Sequence, residues 1–333
     1  MLGLSFFFKL FCWPRCGFST TTVSEEEAKP AKDEEDDNPE EQSHPSAVLM
    51  DMTSGLSKQN DLPMVYGKRG AIWKCTFGQY LRSYEVIVES PQPQYNIAEE
   101  QLCLELKARA QLKHENILPL LGVATDFGPL TAAVYPWMEN GTLTSYLQCD
   151  GGQLSLHDRL ELLKDVAAGL CYLHSRSIVH GELTGHDIFV SASGTAQLSG
   201  FGFSGECIPE ELPCRLRWAA PESFIPIRYD SKPSPWAPTE QSDVYSLGSV
   251  MLQVCSGEVP YVELKYTIDI VIAYQNGRTP WMNDRMWDFI QWCWSTEGAK
   301  RPSAKEALNF IQEEIVLSYL RLLPFFDESP TLT

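Results

Sequence analysis

Leu156, Leu160, Leu163, Ala167, Leu170 and Leu173 recur at helical spacing and mark one apolar face meant for a core. Ser155 precedes the stripe and Asp158 follows three places on, the spacing of a reciprocal N-terminal cap. The stripe divides the chain into two kinds of sequence. Upstream, 71–77 (Ala-Ile-Trp-Lys-Cys-Thr-Phe) and 84–88 (Tyr-Glu-Val-Ile-Val) are β-rich and bounded by glycine or proline, so they read as strands. A helix is predicted over 97–112, with further strands at 114–123 and 131–135. Downstream, helices are predicted over 240–256, near 284–294 and over 303–318. A small, mostly antiparallel sheet with one helix, then a helical body, is an α+β plan with two lobes.

The 333 residues are 44% hydrophobic, enough for a sizeable core. The formal charge of −18 argues against nucleic acid and anionic membrane surfaces, whose phosphates would repel it. Residues 25–41 carry ten acids and two lysines, a net −8 of that total. Together with the Ser, Thr and Pro around it, this marks 19–60 as a disordered acidic linker with too little apolar surface to offset its ordering entropy. Residues 1–18 are apolar and aromatic but are interrupted by Lys9, Pro14 and Arg15. They fit an interfacial anchor acylated at Cys12 or Cys16, a targeting peptide, or an incidental terminus, and any membrane contact is expected only there. No run is long and apolar enough for a membrane-spanning helix, so the expected location is cytoplasmic. The ten cysteines lack paired metal-ligand spacing and read as free thiols.

Several short motifs then fall in a telling order. Arg217-Trp218-Ala-Ala-Pro221-Glu222, Ser242-Asp243-Val-Tyr-Ser-Leu-Gly248, and Cys293-Trp294 followed by Arg301-Pro302-Ser303 resemble signatures of protein kinases, closest to the tyrosine-kinase-like branch. The resemblance spans about 62–318. It implies a two-lobed protein-kinase-like domain over 61–318, with a small β-rich N-lobe at 61–138, a larger helical C-lobe at 139–318 and a tail at 319–333. It also implies a buried ion pair between Glu222 and Arg301, and an Asp243 that holds the catalytic loop from beneath.

The residues that carry kinase chemistry depart from the pattern. Phosphoryl transfer is mostly positioning plus charge neutralisation, and needs a strand lysine, metal ligands and a carboxylate near the substrate hydroxyl. The lysine strand reads Val86-Ile87-Val88-Glu89, so an acid stands where the phosphate-binding lysine would be. Its usual glutamate partner matches Glu105, and Arg109 is a candidate replacement partner for Glu89. The glycine-rich loop is thin, with Val65 at its first position, Gly67 and Gly70 next, and Ile72 following; glycines there also suit a plain hairpin. Lys68, Arg69 and Lys74 lie close enough in sequence to lean toward it.

The catalytic loop reads His180-Gly181-Glu182-Leu183-Thr184-Gly185-His186-Asp187. His180 matches a structural histidine. Glu182 replaces the basic aspartate with one extra methylene, and a displacement of about 1 Å can cost on the order of 100-fold. Asp187 replaces a metal-binding asparagine and could still ligate Mg²⁺, or act only within the loop. The metal-ligand turn is Gly200-Phe201-Gly202, without its aspartate. The arginine that would receive a phosphorylated activation segment is Gly181. Ile87 and Phe189 match the walls of the adenine pocket, and both add bulk that would fill it.

These departures point to a pseudokinase that acts as a scaffold or allosteric protein-interaction module in signalling. It is expected to engage a protein partner and no nucleic acid, and to require no cofactor. The alternative is a weak ATP-dependent kinase with Glu182 as base and Asp187 as metal ligand, the one reading that calls for ATP and Mg²⁺.

Overall fold

A computed structural model describes residues 48–67, 70–79, 82–91, 98–201, 215–223, 237–280 and 285–321. The first lobe is a curled antiparallel sheet of β1 (Leu56–Lys58), β2 (Val65–Gly67), β3 (Gly70–Gln79), β4 (Arg82–Pro91), β5 (Gly122–Ala124) and β6 (Ala132–Pro136), in the order β1-β3-β4-β6-β5 with β2 also on β3. Helix α1 (Glu99–Ala110) packs on one face through Leu102 and Leu106. The second lobe holds α2 (Leu143–Asp150), α3 (Leu156–Ser175), the hairpin of β7 (Ile188–Val190) and β8 (Ala196–Leu198), α4 (Glu240–Ser256), α5 (Thr267–Gln275), α6 (Trp287–Cys293) and α7 (Ala304–Arg321). This is the two-lobed arrangement expected from the sequence.

Strand alternation decides what β4 offers to each side. Val86 and Val88 point into a cluster with Cys75, Ala124, Ala132 and Val134. Ile87 and Glu89 point the other way, opposite Tyr135 and Ala133 of β6. They also lie opposite Lys74 and Ile72 of β3. That second face looks toward α1.

Helix α3 begins at Ser155, whose hydroxyl accepts from the Asp158 amide while the Asp158 carboxylate accepts from the Ser155 amide. The Ser155 hydroxyl donates to the Asp158 carboxylate at 2.7 Å, and this bond together with that from the Ser155 amide holds the Asp158 carboxyl below its usual range. Leu160, Leu163, Ala167, Leu170 and Leu173 are buried against α4 and α7. Leu156 is a correction: it is the first helical residue and 47% exposed, and the packed stripe starts one turn later.

Other boundaries also move. Residues 48–60 fall inside the expected disordered linker, yet they are folded. Met52 donates to Val123 O and Val123 donates to Met50 O, both at 2.8 Å, which satisfies the outer edge of β5. Met52 is 2% exposed, and β1 then pairs with β3. Within 114–123 only the end is strand. The rest is an extended connector, with Leu118 N donating to Leu198 O and Leu198 N to Asn116 O, so it joins the two lobes. Helix α5 is an element the sequence analysis does not identify. Its Thr-Ile-Asp-Ile-Val-Ile core is β-branched and lacks a side-chain cap. Helix α7 continues to Arg321, so the tail begins later than 319.

Cys75, Cys103, Cys171 and Cys293 are free thiols. Cys149 is disulfide-bonded, which corrects the free-thiol expectation for that residue, because sequence spacing cannot show which thiols tertiary structure brings together. Among the described residues, no helix is long and apolar enough to cross a membrane.

Candidate functional site

The site lies between the lobes, and its floor is set by one buried acid. Asp243, 1% exposed on α4, accepts from His180 N at 2.7 Å and Gly181 N at 2.8 Å. It also lies 2.9 Å from His174 Nε2. A buried carboxylate is tolerable only with such donors, and here they shape the loop. His180 is 2% exposed, and its ring meets the edge of Phe201 at a centroid distance of 6.1 Å. Leu183 and Phe201 are buried beneath the loop.

The polar residues of the loop are engaged in the protein itself. Glu182 forms an ion pair with Arg215, from the stretch leading to Trp218. Asp187 is 9% exposed, and its carboxylate accepts from Thr184 Oγ1 at 2.7 Å. Ser199 donates to the Asp187 carbonyl from its amide at 2.8 Å and its hydroxyl at 3.0 Å. His186, assigned no role from the sequence, is exposed and meets the Trp218 ring edge-on at 5.7 Å. Gly200 sits at φ +80°, a left-handed conformation that favours glycine. Gly202, Lys68 and Arg69 lie outside the described residues.

The roof is the inner face of the sheet. Gly67 pairs with Gly70 where β2 turns into β3. A side chain at Gly70 would run into the Ser90 carbonyl, so close strand packing already requires glycine there. Ile72 lies opposite Glu89. Lys74 does not lean toward the turn: its Nζ is 2.7 Å from Glu85 Oε1 and 3.9 Å from the centre of the Trp137 ring. Ile87 is 8% exposed. Phe189 rises from β7 of the lower lobe and packs against the upper-lobe cluster of Leu102, Leu106, Leu118, Ala133, Tyr135 and Met138.

Behind the roof, Glu89, Pro91, Leu102, Leu106, Arg109, Thr131 and Ala133 line a cavity with room for about one water. Glu105 is 9% exposed on the inner side of α1, with Gln101 Nε2 at 3.4 Å from its carboxylate. Arg109 shares the cavity with Glu89 but turns elsewhere, donating to Phe201 O at 3.1 Å and toward Tyr135 Oη at 3.4 Å. That redirects the Glu89–Arg109 partnership expected from the sequence.

Below the site, Arg301 binds Glu222 through two parallel bonds of 2.6 and 2.9 Å. It donates as well to Ser295 O and Gln241 O. Four of its five N–H donors are thereby engaged, the condition for burying such a charge, while Glu222 is 38% exposed, so only the arginine end of the expected pair is buried. Sequence reasoning missed Tyr135 and Arg215. Tyr135 looks like any aromatic strand residue, and Arg215 sits in no motif of its own. Only strand register and chain return bring them to the site.

A curled sheet with one helix beside a helical lobe is a protein-kinase architecture. The family model for protein tyrosine and serine/threonine kinases matches residues 60–311. The chain is 31% identical over 226 residues to the human ephrin type-A receptor 5, covering 63% of this chain and 20% of the receptor. It is 27% identical over 253 residues to the tyrosine-protein kinase SPK-1 of Girardia tigrina, covering 70% and 48%. It is 28% identical over 229 residues to the human tyrosine-protein kinase TXK, covering 66% and 41%. The chain belongs to the protein kinase family, with tyrosine-kinase homologues. It spans less than half the length of these relatives.

Proposed function

We propose that this chain is a pseudokinase, a kinase fold retained as a scaffold or allosteric protein-binding module in signalling. The observation that carries the reading is the packing of Phe189 across the lobes. Phe189 reaches from the lower lobe into the upper-lobe cluster with Tyr135 and Met138, where a flat base would need to slide between apolar walls. In a close-packed interior, bulk at this position takes volume that a ligand would need.

The polar groups point the same way. ATP with Mg²⁺, which the kinase fold implies, does not fit the residues present. Glu89 would repel phosphates, Gly200 offers no carboxylate, and the Asp187 carboxylate is engaged by Thr184 Oγ1. Glu182 is tied to Arg215. The net charge of −18 favours a protein partner over nucleic acid, and a cytoplasmic location suits that role.

The test is a thermal melt with and without millimolar ATP and Mg²⁺. A ligand at 100 times its dissociation constant would stabilise by about 2.7 kcal/mol, a shift that is easily measured. No shift is expected. Phosphate transfer to a protein substrate that disappears in Glu182→Ala would overturn the reading.

A further inference from the structure

Helix α1 raises a question of its own. The sequence places Glu89 and Glu105 where a lysine and a glutamate would attract each other, so that tie is missing from the α1–β4 contact. Toward β6, Leu102 and Leu106 pack against Ala133 and Tyr135, and at the N-terminal end of α1 the Glu99 carboxylate accepts from Thr131 N at 3.2 Å. Hydrophobic burial is non-directional and does not by itself fix the rotation of a helix.

Arg109 adds a second directional tie at the other end of the helix. It lies one turn beyond Glu105, at the C-terminal end of α1. One guanidinium nitrogen donates to the Phe201 carbonyl at 3.1 Å, and the other lies 3.4 Å from the Tyr135 hydroxyl. The guanidinium centre is 5.8 Å from the Phe201 ring, within cation–π range. Phe201 in turn meets His180, whose amide is held by Asp243 at 2.7 Å. Arg109 thus joins three elements: α1, β6 of the sheet, and the Gly-Phe-Gly turn of the lower lobe. Glu89 lines the same cavity, and its negative charge eases the placement of a guanidinium there.

We propose that Arg109 is a positioning latch. It fixes the C-terminal end of α1 against the Gly-Phe-Gly turn and so ties the upper lobe to the lower. Arginine suits the task because its planar fork addresses two acceptors at once and keeps its charge at any physiological pH. The proposal goes beyond the pseudokinase reading and stands whether or not the cleft admits a nucleotide.

Hydrogen exchange of the full chain tests it, comparing the unaltered protein with Arg109→Met and Arg109→Lys. Methionine keeps the length and apolar stem but has no donors. In Arg109→Met, exchange in peptides covering 99–110 and 198–201 should rise about tenfold, while 287–293 and 304–321 stay unchanged. Arg109→Lys, which still donates to one acceptor, should fall between. Unchanged exchange at 99–110 would overturn the proposal, as would an equal rise in every helix, which means general packing instead of a latch. If Arg109→Met does not fold, Arg109→Lys decides alone: a rise confined to 99–110 and 198–201 supports the latch, and its absence refutes it.

Discussion

Arg215 closes an ion pair onto Glu182, joining the stretch before Trp218 to the loop where a kinase keeps its base. The pair is partly exposed, at 16% for Arg215 and 30% for Glu182, so solvent screens it. Arg215→Ala should lower stability by no more than about 1 kcal/mol, read as a small drop in melting temperature. The proposed pseudokinase role predicts no phosphate transfer, because freeing Glu182 still leaves an acid at Glu89 and glycine at Gly200. A gain of transfer in Arg215→Ala would show that this pair alone silences the site.

Phe189 and Ile87 can be tested by emptying their volumes. Phe189→Ala combined with Ile87→Ala should destabilise the protein by several kcal/mol, on the order of 3, since both side chains are at least partly buried. If the cleft is closed only by bulk, the double variant should gain a thermal shift with ATP that does not depend on Mg²⁺. A nucleotide shift of equal size in the unaltered protein would contradict the proposed filling of the cleft.

Restoring a metal ligand should not suffice. Gly200 sits at φ +80°, where a side chain costs about 1 kcal/mol or somewhat more. Gly200→Asp should therefore lower the midpoint of urea unfolding, and Mg²⁺ should raise the melting temperature little while Glu89 remains. A strong Mg²⁺-dependent shift in this single variant would mean the rest of the site is still competent.

Asp243 carries the loop, so its loss should be costly. Asp243→Ala strands the His180 and Gly181 amides as unpaired donors in a dry place, with a cost on the order of 3 kcal/mol. Urea unfolding would measure this. Hydrogen exchange at those two amides should rise more than in α7, and equal exchange at both places would refute the local role.

Three phenols make the fold sensitive to alkali. Tyr261 and Tyr274 lie 5.3 Å apart, and Tyr245 and Tyr274 lie 6.4 Å apart. Tyr274 donates to Leu216 O and Ala219 O, anchoring the stretch beside Trp218. Burial raises all three, Tyr261 to about 12 and the other two further. In the unfolded chain a phenol titrates near about 10. The folded state therefore binds more protons above that point, and stability should fall as pH rises from about 10 toward 12. Denaturant melts across this window should show a shallower slope for Tyr261→Phe, and an unchanged slope would rule Tyr261 out as a contributor.

Much of this was legible without coordinates. The capped stripe from Ser155 announces α3, because helix periodicity and reciprocal capping are local properties. The ordered motifs around Trp218, Asp243 and Arg301 announce the family, and the substitutions at Glu89, Glu182 and Gly200 are visible as letters. The folding of 48–60 was not legible: its backbone pairs with β5, some seventy residues away, and composition says nothing of a distant strand edge. Helix α5 was hidden for the opposite reason, since β-branched residues favour a strand locally and tertiary packing overrode them.

Sequence alone determined which chemical groups are available: an acid at Glu89, no side chain at Gly200, and bulk at Ile87 and Phe189. Tertiary structure decided what those groups touch. It gave Glu182 to Arg215, Asp187 to Thr184, Lys74 to Glu85 and Trp137, and Arg109 to Phe201 and Tyr135. The reason is physical. Residue identity is read one position at a time, whereas hydrogen bonds and ion pairs form only within a few ångströms, and those distances exist only once the chain has folded back on itself.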